Sequence, residues 1–189
     1  MRLVHLLPVG NVDPGLLQTL KREITQRLDV SCDILPVPLD PLPSFHEERQ
    51  QYYSSGILQQ MQSHIRSQTW RLLGVADVDL YIPILKYVFG EAQLDGRCAL
   101  VSIHRLREEF YGLQSNDELL AARLVKEAIH ELGHTLNLRH CGDYGCVMAS
   151  AHAVEWVDLR GSAFCETCRA ELSSLSDCTP MRRPTRSLH

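Results

Sequence analysis

Apolar positions along the chain follow two rhythms. Residues 3–8 are a short apolar run closed by Gly10, Asn11 and Asp13-Pro14, which predicts a strand and then a turn. Leu16, Leu17, Leu20, Ile24 and Leu28 then recur at helical spacing, with Asp13 placed to cap the helix and Pro14 as its first residue. Residues 30–37 predict a second strand, and Pro36, Pro38, Pro41 and Pro43 predict an irregular loop. Ile57, Leu58, Met61 and Ile65 share one face of a helix over about 54–67, and residues 71–75 predict a third strand. Residues 87–94 and 98–103, joined by Asp95-Gly96, predict a hairpin. A long helix, capped by Asp117 and running to about Asn137, buries Leu119, Leu120, Ala121, Leu124, Val125, Ala128, Leu132 and Leu136 on one side. The order β-α-β-α-β-β-α indicates an α/β sandwich on a mixed sheet. Beyond about Ser176, a tail with Pro180, Pro184 and three Arg is expected to be poorly ordered.

Composition narrows this. The chain has 189 residues, 44% apolar and 22% charged, enough for one domain with a real core. Its net charge of −4 argues against nucleic acid or an anionic membrane as a partner. His5 and Pro8 interrupt the first apolar run, and no cleavage pattern follows, so no signal peptide is expected. No apolar run approaches the ~18 residues of a membrane span. The expected compartment is the cytoplasm, where seven Cys point to metal or chemistry before disulfides.

The chemistry is concentrated in the string His130-Glu131-Leu132-Gly133-His134-Thr135-Leu136-Asn137-Leu138-Arg139-His140. Two His at i and i+4 lie one above the other on a helix, so both rings can reach one metal ion. Glu131 is ~100° round the helix, beside the ligands, where a carboxylate can take a proton from the attacking water. His140 would lie ~240° off that face in a continued helix, so the helix must end and turn sharply for it to join. Asn137 suits that turn, because it tolerates left-handed backbone. Three neutral nitrogens and one open position describe a catalytic zinc. At this composition, chance gives the pattern in roughly one chain in a thousand. Glu127, one turn before Glu131 on nearly the same face, reads as a solvated helix charge, with support of the site from behind as the alternative.

Cys141-x4-Cys146 and Cys165-x2-Cys168 are two thiol pairs at spacings that fit a closed, tetrahedral structural zinc. Such a site would clamp the turn after His140. The alternatives are buried free thiols, or disulfides in an exported protein. Cys32, Cys98 and Cys178 read as ordinary core or tail residues. Met148 could form an apolar floor beneath the imidazoles.

Together, HELGHTLNLRH, Cys141 directly after the third His, Cys146-Val147-Met148, Cys165-Glu166-Thr167-Cys168 and the upstream VFGEAQLDGRCALVSIHRL resemble the archaemetzincin family of metzincin zinc metallopeptidases. The resemblance covers most of the chain to about residue 175. It implies a metzincin-like zincin sandwich: a mixed, mostly parallel twisted sheet, an active-site helix and a small zinc-stabilised C-terminal subdomain. It implies one catalytic domain over 1–176, with a sheet-and-helix part over 1–137 and, over 138–176, a part holding the Met-turn and the four-cysteine zinc site. Residues 177–189 would be a flexible tail. It implies catalytic zinc ligands at His130, His134 and His140, the general base at Glu131, the Met-turn at Met148, and structural zinc ligands at Cys141, Cys146, Cys165 and Cys168. Metzincins usually carry Gly where this chain has Asn137, and some carry Tyr where it has Ser150.

The expected activity is peptide-bond hydrolysis with two Zn2+ per chain, acting as a monomer on a peptide or protein lying along strand 87–94. Two rivals remain at this level: a catalytically idle, zinc-containing peptide-binding protein, and a nucleic-acid-binding zinc module built on the Cys cluster and the Arg-rich tail. Overall acidity speaks against the second.

Overall fold

Four apolar segments lie parallel in one sheet, with a fifth turned against them. A computed structural model describes residues 2–177. Its elements are β1 (Leu3–Val9), α1 (Pro14–Leu28), β2 (Ser31–Ile34), β3 (Phe45–His46), β4 (Gln51–Tyr53), α2 (Ser54–Met61), β5 (Arg71–Ala76), β6 (Leu80–Ile82) and β7 (Leu85–Val88). Next come β8 (Gly90–Ala92), β9 (Cys98–Ser102), α3 (Asp117–Thr135), α4 (Val154–Leu159) and α5 (Glu166–Asp177). The main sheet runs β2-β1-β5-β9-β8, with β2, β1, β5 and β9 parallel and β8 antiparallel at the edge. The mixed, mostly parallel sheet is as the sequence indicates.

Why the ends fall there is visible in the caps. The Asp13 side chain accepts from the Gly15 and Leu16 amides at 2.9 and 3.3 Å, as its sequence position suggests. The long helix is capped by Asn116, not Asp117: the Asn116 side chain accepts from the Leu119 amide at 3.0 Å. Asp117 instead adds negative charge to the first turn, where the helix dipole favours it. Leu17, Leu20 and Ile24 of α1 join Leu124, Ala128 and Leu132 of α3 in one core against Val4, Leu6, Val75 and Val101 of the sheet. Burying each large aliphatic side chain contributes about 1.5–3 kcal/mol. On the other sheet face, Ile57, Leu58 and Met61 of α2 meet Leu7, Leu72 and Leu100.

Two features depart from the expectation. The segment 87–94 is not one strand. Its first part is β7, in a small second sheet of order β3-β4-β6-β7, and its second part is β8, on the main sheet. Phe89 marks the switch: its ring is buried in the main core, and its carbonyl accepts from the Ser102 amide at 2.8 Å. The stretch between the proline-rich loop and α2 also holds two unforeseen short strands, β3 and β4, paired antiparallel. Local alternation reports a half-buried strand but not which sheet it edges. Arg123 of α3, only 4% exposed, fixes α4 through paired contacts of 2.6 and 2.7 Å with Asp158. Among the described residues, no helix is long and apolar enough to cross a membrane. The predicted tail from 178 on, with Cys178, lies outside the described residues.

Candidate active site

The site begins on the last two turns of α3. His130 and His134, four residues apart, present their Nε2 atoms to one another at 3.1 Å. Each Nδ1 faces a backbone carbonyl at 2.8 Å, Val147 for His130 and Leu138 for His134. A carbonyl only accepts, so both Nδ1 atoms carry the proton and both Nε2 atoms present bare lone pairs. Two lone pairs this close would repel each other without a cation to share, a role that a metal ion would fill.

α3 then ends as the third His requires. Leu138 N donates to Gly133 O at 3.1 Å and Asn137 N to His134 O at 3.0 Å, the paired closure of a Schellman turn. Asn137 takes the left-handed conformation at φ 67°. The chain doubles back, and the ring of His140 comes to 5.3 Å from that of His130 and 5.0 Å from that of His134, centroid to centroid. One nitrogen from each of the three lies within 4.8 Å of the others. The donor set is all imidazole, and it fits zinc with an open position.

The next residues pass beneath this cluster. Cys141 N donates to Met148 O at 2.9 Å, which closes the loop 141–148. Met148 is fully buried, and a Cβ on Gly133 would fall 2.5 Å from its sulfur. The absence of a side chain at Gly133 therefore admits the thioether directly against the helix.

The thiols converge separately. Cys141 Sγ and Cys165 Sγ are 3.8 Å apart, as are Cys146 Sγ and Cys168 Sγ, and all four lie within 4.8 Å of one another. That is far beyond a disulfide bond of ~2.05 Å. It matches the edge of a tetrahedron with metal–sulfur bonds of about 2.3 Å, which is about 3.8 Å. Backbone amides of Asp143, Met148 and Cys165 donate to the Cys141 and Cys146 sulfurs at 3.3–3.4 Å. The Cys165 thiol is drawn down to about 7, chiefly by the Cys168 amide. Cys32 and Cys98 sit in the core as expected, and burial pushes the Cys32 thiol up to about 12.

Glu131 lies beside the imidazoles, 5% exposed. Burial raises its pKa well above the ordinary carboxylate value, with the neighbouring Glu127 adding to the effect. Glu127 itself corrects the sequence expectation. It is not solvated but 3% exposed, and its Oε1 is 2.6 Å from Arg160 Nη2. Arg160 is also buried and reaches Ala149 O at 2.9 Å. Nothing local marks it: it follows α4 in Asp158-Leu159-Arg160-Gly161, 33 residues from its partner, and only the tertiary fold joins them.

These groups line a cleft of about 480 Å3 between the β8 edge and residues 150–152. Gly90 of β8 lies against Glu131: a Cβ there would sit 2.7 Å from the Glu131 Oε1 and 2.6 Å from Leu100 O. Behind β8, the Glu91 carboxylate accepts from the Ser54 and Ser55 hydroxyls at the start of α2. At one end of the cleft, Tyr87 donates its hydroxyl hydrogen to His152 O at 2.8 Å. Ser150 lines the cleft, whereas Tyr144 is 75% exposed against Trp156.

The chain is similar to known proteins. The model of Peptidase family M54 matches residues 45–174, 130 of the 189 positions. The archaemetzincin of Methanocaldococcus jannaschii is 40% identical over 169 residues, covering 89% of this chain and 92% of its own. That of Thermococcus kodakarensis is 37% identical over 180 residues, covering 91% and 96%. Among solved structures, a zinc-dependent peptidase from Methanocorpusculum labreanum superposes with a TM-score of 0.82 at 30% identity, over 89% of this chain and 99% of that one. The archaemetzincin of Archaeoglobus fulgidus, complexed with malonate, gives 0.78 at 31% identity over 89% and 99%. Similarity of sequence and fold at nearly full length on both sides places the chain in peptidase family M54, the archaemetzincins, as a zinc metallopeptidase.

Proposed function

We propose that the chain hydrolyses peptide bonds at a zinc held by His130, His134 and His140, with Glu131 as general base, and that a second, structural zinc is held by Cys141, Cys146, Cys165 and Cys168. The observation that carries the reading is the pair of bare Nε2 atoms 3.1 Å apart on α3, with a buried carboxylate beside them. Zinc bound there supplies Lewis acidity to the scissile carbonyl and brings the pKa of the attacking water to ~7. The chain's own groups do the rest. The peptide adds as an extended strand to the free edge of β8, whose backbone groups fix its register. Glu131 takes the proton of the attacking water and later passes it to the leaving amine. Burial suits it to both steps, since a carboxyl with a raised pKa holds a proton long enough to deliver it. Val147 O and Leu138 O orient the two helical imidazoles by holding Nδ1–H.

The cysteine site is proposed as structural because four thiolates leave no open position. In that role it ties the turn after His140 to the start of α5. One catalytic unit over 1–176, a monomeric chain and a cytoplasmic setting complete the proposal, with no nucleic acid and no membrane as partner. The net charge of −4 speaks against nucleic acid.

The test is Glu131→Gln, which keeps the volume of the side chain. Zinc content and melting temperature should stay at wild-type values. Hydrolysis of an unstructured protein or a peptide library should fall about a thousandfold. Wild-type turnover in a zinc-loaded Glu131→Gln protein refutes the assignment.

A further inference from the structure

We infer that Arg160 and Glu127 are a positioning pair, which sets the His130 ring and the Met148 turn against α3 from behind the metal-facing side of the cluster. The inference rests on the reading of the His cluster as a zinc site. Arg160 enters from the end of α4 with its side chain only 2% exposed, and its two arms do different things. Nη2 meets the Glu127 carboxylate at 2.6 Å, which ties the guanidinium to α3 one turn before Glu131. Nη1 donates to Ala149 O at 2.9 Å; His130 Nδ1, 3.1 Å away, gives its own proton to Val147 O, so Arg160 acts on the ring through the 147–149 turn and not by a hydrogen bond to it. Met148 is thereby flanked by two carbonyls that α3 holds: Val147 O through His130, and Ala149 O through Arg160.

Stability alone gives no reason for this pair. Two charges buried together gain little over apolar residues of the same volume, and often lose. Here Arg160 Nε finds no acceptor among the described residues, and Nη2 meets Glu127 Oε1 as an ion pair without the alignment of a hydrogen bond, so the guanidinium is incompletely satisfied. What the pair supplies is a planar, rigid fork that holds two elements at a fixed separation. The elements it fixes are those carrying His130 and Met148. A tilt of His130 moves Nε2 away from the ion, which lowers affinity for the metal and moves the ion relative to Glu131.

The test uses the zinc-loaded full chain. The double variant Glu127→Leu/Arg160→Met replaces the pair by apolar groups of similar size. It should melt near the wild type and keep zinc at the cysteine site. By chelator competition its His-site zinc should bind 10–100-fold more weakly. Its kcat should fall at least tenfold with KM within about twofold. Arg160→Lys keeps the charge and loses the fork, and should show a similar loss of affinity. Wild-type affinity in either folded variant overturns the proposal. Failure of the double variant to fold also overturns it, since the pair would then support the fold rather than the site. If the wild type hydrolyses no peptide, the peptidase reading fails, while the affinity series still decides the role of Arg160.

Discussion

Asn137 turns the chain so that the third imidazole faces the other two. At φ 67° it is in a conformation that glycine adopts freely, asparagine at small cost and β-carbon residues without a short polar group at about 1–2 kcal/mol. Asn137→Gly should therefore leave melting and zinc content near wild type. Asn137→Val should destabilise by about that amount and loosen His140; equal urea midpoints for the two variants would contradict this account. Gly90 answers to a different constraint. An alanine there would press on Leu100 O and on the Glu131 carboxylate at once, and the first is backbone that cannot move aside. Gly90→Ala should lower both melting temperature and turnover, with the larger relative loss in turnover, measured on the zinc-loaded protein. The roles of these two residues differ in how far the sequence discloses them. Asn137 lies between two His whose spacing requires a turn, so its task is legible from neighbours three residues away on either side. Gly90 faces a residue 41 positions later, and Glu127 finds Arg160 33 positions later. Such contacts have no period to read, which is why Glu127 reads as a solvated charge and is in fact buried.

At the scale of elements, α3 is the most legible part of the chain. Its apolar stripe, its end and its ligand face all follow from the 3.6-residue repeat and one turn residue. The segment beyond it is read through its cysteines. Their spacing identifies two pairs, and the helices α4 and α5 are not anticipated. The switch of strand between β7 and β8 is equally hidden, since Phe89 looks like any apolar residue in a run. The thiol clamp joins the loop 141–148 to the first turn of α5. Removing one ligand by Cys165→Ala should release one zinc of two and lower the melting temperature by several degrees. Turnover should fall in proportion to His140 displacement, and not to direct loss of a catalytic group. Normal melting with half the zinc would count against a structural clamp.

For the whole molecule, the cleft lies where the edge of the sheet meets the segment that follows the long helix, so neither part alone makes it. Burial is what prepares its imidazoles. It lowers the pKa of His130, His134 and His140 below the ordinary 6.5. Protons compete with metal for the neutral nitrogen, and a lowered value means that this competition begins at lower pH. Zinc at the His site should accordingly be fully held at pH 6.5 and released progressively below it, as followed by dialysis and metal analysis. Half-release above pH 6.5 would contradict the direction of these shifts.

The order of the ligands along the chain has a consequence for synthesis. His130, His134 and His140 leave the ribosome before Cys165 and Cys168, which follow His140 by 25 and 28 residues. At that stage the turn that carries His140 has its local closures, Leu138 N to Gly133 O and Cys141 N to Met148 O, but not the second thiol pair. If the four thiols hold a structural metal as proposed, that clamp can close only once the second cysteine pair has emerged, later than all three imidazoles.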